Sequence, residues 1–109
     1  MGLAASQARF LMLTARKSDL QMQGQAIHQA RMALSNMMSQ LINGQANLTP
    51  DNPAMIQLQK RIEAIQQIDK RLELMLKRLE TQEEEVKTEV DVTKRLIDDN
   101  IKNTFKTFG

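Results

Sequence analysis

Apolar residues return every seven positions in the first half of the chain, at Leu13, Leu20, Ile27, Leu34 and Leu41. Seven residues make almost two turns of α-helix, so these side chains share one stripe. The pattern predicts a helix over residues 3–43 with a seam for a partner helix. The alternate seam positions fall to Gly24, Ala30 and Met37 or Met38, which keeps much of the seam narrow and lets a partner approach closely. Gly24 costs about 1 kcal/mol of helix stability relative to alanine, which marks it as a contact point or a bend. Asn43-Gly44 reads as the stop, with glycine taking the left-handed conformation that closes a helix C-terminus.

A polar turn over residues 44–52 follows, and Pro50, Asp51, Asn52 and Pro53 carry its chemistry. Proline at position 53 presets φ for a first helical turn and pushes Asn52 out of the α region, where it serves as an N-cap. Asp51 adds favourable charge near that helix start. The second helix is expected over residues 53–107. Its apolar positions step by threes and fours through Leu58, Ile62, Ile65, Ile68, Leu72, Met75, Leu79, Gln82, Val86, Val90, Thr93, Ile97, Ile101, Phe105 and Phe108. The steps follow a heptad from Leu58 to Val86. Ile97, Ile101 and Phe105 are spaced by four, which relaxes a left-handed supercoil and predicts different packing in the distal half.

A short loop between two helices favours antiparallel neighbours. The fold class expected is therefore all-α: two long antiparallel amphipathic helices in a coiled-coil-like hairpin, the second helix longer, forming one domain over residues 1–109. At 1.5 Å per residue, helices of about 40 and about 55 residues make rods of roughly 60 and 80 Å, so the second must overhang the first or bend. A hairpin covers one stripe of each helix, and the apolar patch from Phe10 to Leu13 is left partly uncovered and in need of a partner.

Composition and charge refine this picture. The apolar residues are Leu, Ile, Met and Ala with three Phe and no Trp or Tyr, a palette that suits helix interfaces and not sheets. There is no cysteine, which removes disulfides and thiolate metal sites. The run Phe10-Leu11-Met12-Leu13 is too short to span a bilayer, and residues 1–15 lack the basic start and long apolar run of a secretory signal. Net charge is +2, unevenly made. Residues 1–50 carry Arg9, Arg16, Lys17 and Arg31 against Asp19, whereas the remainder is dense in both signs. Glu73 and Lys77, Glu83 and Lys87, Asp91 and Arg95, and Asp98 and Lys102 form acid-before-base pairs that support a long exposed helix, at about 0.2–0.5 kcal/mol each.

Little in the chain supports catalysis, which needs titratable groups converging in a water-excluding pocket. His28 stands beside Ile27 with no neighbouring acid or second imidazole, and reads as a partly exposed helical histidine. Glu83-Glu84-Glu85 reads as a solvated charge run before it reads as a cation site. The basic pairs Lys60-Arg61, Lys70-Arg71, Lys77-Arg78 and Lys94-Arg95 are interspersed with acids and lack interleaved aromatics, which argues against nucleic acid. Met1-Gly2-Leu3-Ala4-Ala5-Ser6 fits the short myristoylation pattern, although helix starts favour the same small residues. Membrane contact through Phe10 to Leu13 ranks below protein contact, because the polar face there is not strongly basic. No enzyme activity, cofactor or metal is expected.

Pro50-Asp51-Asn52-Pro53-Ala54, followed by Leu58-Gln59 and Ile62, resembles the turn of type III secretion needle and inner-rod subunits. The stretch from Val92 through Ile101 to Phe105 resembles the terminal helix of that family. The resemblance covers residues 47–66 and, more loosely, 86–108; the first helix has no counterpart there. It implies a small helical hairpin whose copies stack into a hollow filament, the terminal helix facing inward. It also implies export to the cell surface without a cleavable signal; a cytoplasmic location is the other option. A rod, adaptor or regulatory member of a secretion or flagellar-type system fits as well. The expected partner is the chain itself, with other helical secretion components next. Its assembly interface is expected at Phe10, Leu13, Leu20, Gly24, Ile27, Leu34 and Leu41 of the first helix and at Leu58, Ile65, Leu72, Leu79, Val86, Ile97, Ile101 and Phe105 of the second. The alternatives are a soluble coiled-coil adaptor or chaperone that grips a partner helix with its methionines, and a peripheral membrane protein.

Overall fold

The computed structural model describes residues 2–108, with side chains described for residues 2–106. Phe108, counted above in the second apolar row, lies outside the described side chains, and Met1 of the myristoylation pattern lies outside the described residues. The protein is an all-α helical hairpin of two helices, α1 over Leu3–Gln45 (43 residues) and α2 over Pro53–Phe108 (56 residues). Their contacts group into two units, each containing a length of both helices: residues up to Gln23 with those from Leu79 onward, and Gly24–Arg78.

In the first unit Leu13, Leu20 and Val86 are the buried core, with Leu79 and Val90 packed against it. Arg9 Nη2 donates to Glu89 Oε2 at 3.4 Å and Gln21 Nε2 donates to Glu83 Oε1 at 3.2 Å, so partners on α2 fall in number as those on α1 rise. That is antiparallel pairing. Toward the free ends the seam narrows to two small side chains, Ser6 at 0 % exposure and Thr93 at 2 %. The Thr93 hydroxyl donates to the Glu89 carbonyl at 2.8 Å, whereas the Ser6 hydroxyl is buried without a hydrogen-bond partner. The covered row on α2 continues in heptad register through Val90, Thr93, Ile97 and Asn100, so the spacing by four does not govern the packing here. Ile101 and Phe105 stand outside the row because Asn100, one position earlier, keeps the alternation of threes and fours that follows the partner helix.

In the second unit the buried residues are Ile27, Ile65 and Leu76. A side chain added at Gly24 would meet the Leu76 Cδ1 atom at 4.0 Å, so the two helices approach closely here without a bend being required. The covered rows also correct several expected positions. On α1 they run Gly24, Ile27, Arg31, Leu34, Met38 and Leu41, leaving Ala30 and Met37 exposed. On α2 they take Asp69 and Leu76 where Ile68 and Met75 were expected, and both of those are exposed. The substitution has a cause at each place. Heptad register requires positions 69 and 76 after Ile62, and Asp69 is admitted because Arg31 meets it there.

The connection between the helices shows one expected device and one unexpected one. Asn52 caps α2, its side-chain Oδ1 accepting the Ala54 N–H at 3.0 Å and its carbonyl the Met55 N–H at 2.9 Å. The Asn52 N–H in turn reaches the Thr49 carbonyl at 3.1 Å, closing a β-turn with Pro50 at its second position. Gly44, however, lies inside α1, and no described glycine has positive φ. The end of α1 is closed instead by tightened bonds, Asn47 N–H to the Gly44 carbonyl at 3.3 Å and Leu48 N–H to the Gln45 carbonyl at 3.1 Å. Such three-residue bonds satisfy the last carbonyls without a left-handed residue.

Candidate assembly surface

The hairpin divides the candidate interface residues into those it uses for itself and those it leaves outside. In the first unit Leu13, Leu20 and Val86 are buried and Phe10, Leu79 and Ile97 half-buried; Ile101 is 38 % exposed and Phe105 74 %. In the second unit Ile27 and Ile65 are buried, and Gly24, Leu34, Leu41, Leu58 and Leu72 half-buried. Pro50, Asp51 and Pro53 are exposed, and Asn52 is half-buried by its capping role. The patch from Phe10 to Leu13 is likewise split. Four consecutive helical residues point in four directions, so Leu13 enters the core while Leu11 (69 %) and Met12 (73 %) remain outside.

The sides of α1 that face away from the seam are unusual for exposed helix. In the first unit they carry Ala4, Ala5, Ala8, Leu11, Met12, Ala15, Ser18, Asp19 and Met22, with Asp19 the single charge. In the second unit the same sides carry Gln25, Ala26, Gln29, Met32, Ala33 and Asn36, with no charge. The corresponding sides of α2 are mostly charged, as at Lys70-Arg71, Lys77-Arg78, Glu84-Glu85 and Asp98-Asp99. Large apolar side chains exposed on a face with few charges mark a place for a partner, whereas the charged outer face of α2 suits water. Met22 and Met32 are members of this surface that the row-by-row reading passed over. Met22 stands between Gln21 and Gln23 and Met32 between Arg31 and Ala33, so neither belongs to an apolar run that would have drawn notice.

Two concave places adjoin the seam. An open groove of about 440 Å³ in the second unit is lined by Leu34, Met38 and Ile65 with His28, Arg31, Met32, Ser35, Gln66 and Asp69. There the Arg31 Nε donates to Asp69 Oδ1 at 2.9 Å and Nη2 to Oδ2 at 3.4 Å, a forked pair about one-third exposed. The hydrogen bond from Arg31 holds the Asp69 carboxyl below the usual carboxylate range; desolvation opposes this and the arginine charge adds to it. The same bond raises Arg31 above its ordinary value, against desolvation and with help from the charges of Asp69 and Glu73. In the first unit Leu3, Ile101, Thr104 and Phe105 line a smaller apolar recess of about 200 Å³.

Of the groove's polar side chains, Arg31 and Asp69 are bonded to each other, and among the described residues no three His, Cys, Asp or Glu side chains are grouped to hold a metal ion. No helix among the described residues is long and apolar enough to cross a membrane. No protein-family model, curated protein or solved structure matches the chain.

Proposed function

We propose that this protein is a structural subunit that assembles with further copies of itself into a rod or filament of a secretion-related, type III or flagellar-like apparatus, and that it performs no catalysis. The observation that supports this most is the outer side of α1, where Leu11, Met12, Met22 and Met32 are exposed and Asp19 is the one charge, although Leu13, Leu20 and Ile27 already fill the hairpin seam. Exposed apolar surface rimmed by polar residues marks interaction sites in soluble chains. Ile101 and Phe105, exposed beside the recess with Leu3, supply a second contact. An assembly with two different contacts can grow into an open polymer, while one isologous contact closes as a dimer. The resemblance of the Pro50 to Pro53 turn and of residues 92–105 to needle and inner-rod subunits favours the filament.

Electron microscopy and light scattering of the purified protein test this reading. Filaments or large oligomers are expected, and Ile101→Asp with Phe105→Asp should abolish them with helicity retained by circular dichroism. A discrete dimer or tetramer at every concentration would replace the filament with a closed oligomer of the adaptor kind. A monomer at every concentration would end the self-assembly reading.

A further inference from the structure

We infer that two copies of this chain meet through the outer side of α1 in the first unit, antiparallel, about a twofold axis at Leu11 and Met12. This rests on the self-assembly reading above and says which surface meets which. Ala4, Ala8, Leu11, Ala15 and Asp19 follow one another at three or four residues and so form a single stripe. The stripe lies on the opposite side of α1 from Leu13 and Leu20, and all five residues are exposed. With exposed Met12 beside Leu11 counted in, the steps along it are 4, 3, 1, 3 and 4, the same in both directions. Laid against a reversed copy of itself, Leu11 comes opposite Met12, Ala8 opposite Ala15, and Ala4 opposite Asp19.

Side-chain size and charge choose this arrangement over the others. The alanines flanking the centre let the helix backbones come close, while Leu11 and Met12 fill the middle. Asp19 is the stripe's one charge, and a parallel in-register pair would set the two Asp19 carboxylates against each other. The antiparallel pair separates them and brings each beside the first turn of the other copy's α1, which has no acidic residue of its own. The unpaired N–H groups of that turn favour a carboxylate. One short stripe per copy buries less than the roughly 1,200–2,000 Å² of stable complexes, so the contact is expected to be concentration-dependent when it acts alone.

The chain has no native cysteine, which makes disulfide trapping clean. Full-length Ala8→Cys and Ala15→Cys proteins, both altered at exposed positions, are oxidised separately and as an equal mixture, with light scattering on the same samples. The mixture should yield disulfide-linked dimer at least about fivefold above either protein alone, since only the unlike pair brings Cα atoms within about 7 Å. Asp19→Lys in both chains should cut that yield at least about threefold with circular dichroism unchanged. Either single protein cross-linking as well as the mixture would overturn the antiparallel arrangement. Oligomers by light scattering without the mixed cross-link would overturn the contact and leave self-assembly standing. Monomers throughout, in the wild type as well, would remove the self-assembly reading and this contact together.

Discussion

Ser6 and Asp69 are polar side chains of the seam, and each makes its own demand. Ser6 is fully buried and its hydroxyl has no partner, while its own backbone N–H is already bonded to the Gly2 carbonyl at 3.0 Å. A buried hydroxyl left unpaired carries a desolvation cost with no return, and serine is also a poorer helix former than alanine. Ser6→Ala should therefore stabilise the hairpin by about 1 kcal/mol, read as a higher denaturation midpoint with an unchanged slope. Asp69 works in the other direction. Its carboxyl is held below the usual range by Arg31, so its stabilisation is complete above the unfolded carboxylate pKa of about 4 and is lost as pH falls through the lower folded value. Denaturation midpoints measured from pH 7 down to pH 2 should fall for the wild type over that window. Asp69→Asn should begin lower at pH 7 and show a smaller fall, and equal pH dependence of the two proteins would refute the role given to this pair.

Among the elements, α1 departs most from expectation, and the reasons are local. Its heptad of Leu13, Leu20, Ile27, Leu34 and Leu41 was legible because large aliphatic side chains recur at one interval, and those five do face the seam. Lys17 and Arg31 occupy intervening positions and were not legible, because a charged residue reads as surface; for Arg31 only the Asp69 carboxylate across the seam accounts for its place. Asp69 was hidden for the same reason and Asn100 because a polar amide reads as surface, and the apolar neighbours Ile68 and Ile101 drew the row away from them. The extension of α1 past Gly44 depended on backbone bonds at Asn47 and Leu48 that composition does not encode. For the candidate surface, Leu11 and Met12 belonged to a visible apolar cluster, while Met22 and Met32 did not. Gly24 shows how the element-level reading can be tested. It sits in an ordinary helical conformation, and an added Cβ would touch Leu76 Cδ1 at 4.0 Å, which is normal contact. Gly24→Ala should thus gain about 0.5–1 kcal/mol from helix propensity without displacing α2. A destabilised Gly24→Ala would mean that the close approach at this layer tolerates no side chain.

At the scale of the whole molecule, folding and assembly draw on different apolar residues of the same helix. Leu20 lies at 5 % exposure in the core with Leu13 and Val86, so Leu20→Ala should lower stability by about 2–4 kcal/mol through lost burial and the cavity left behind. Leu11 is 69 % exposed and touches little that the hairpin owns, so Leu11→Ala should stay within about 0.5 kcal/mol of the wild type when measured at the lowest workable protein concentration. Self-association should respond in the reverse order. Light scattering over a concentration series should show Leu11→Ala shifting association to higher concentration while its denaturation midpoint holds, because the side chain is covered only when copies meet. Mass action adds a second signature: the wild-type midpoint should rise with protein concentration, since association binds the folded chain alone, and the rise should shrink in Leu11→Ala. A Leu11→Ala protein that lost stability as Leu20→Ala does would place Leu11 in the folding core and remove the reason for a partner on that side of α1.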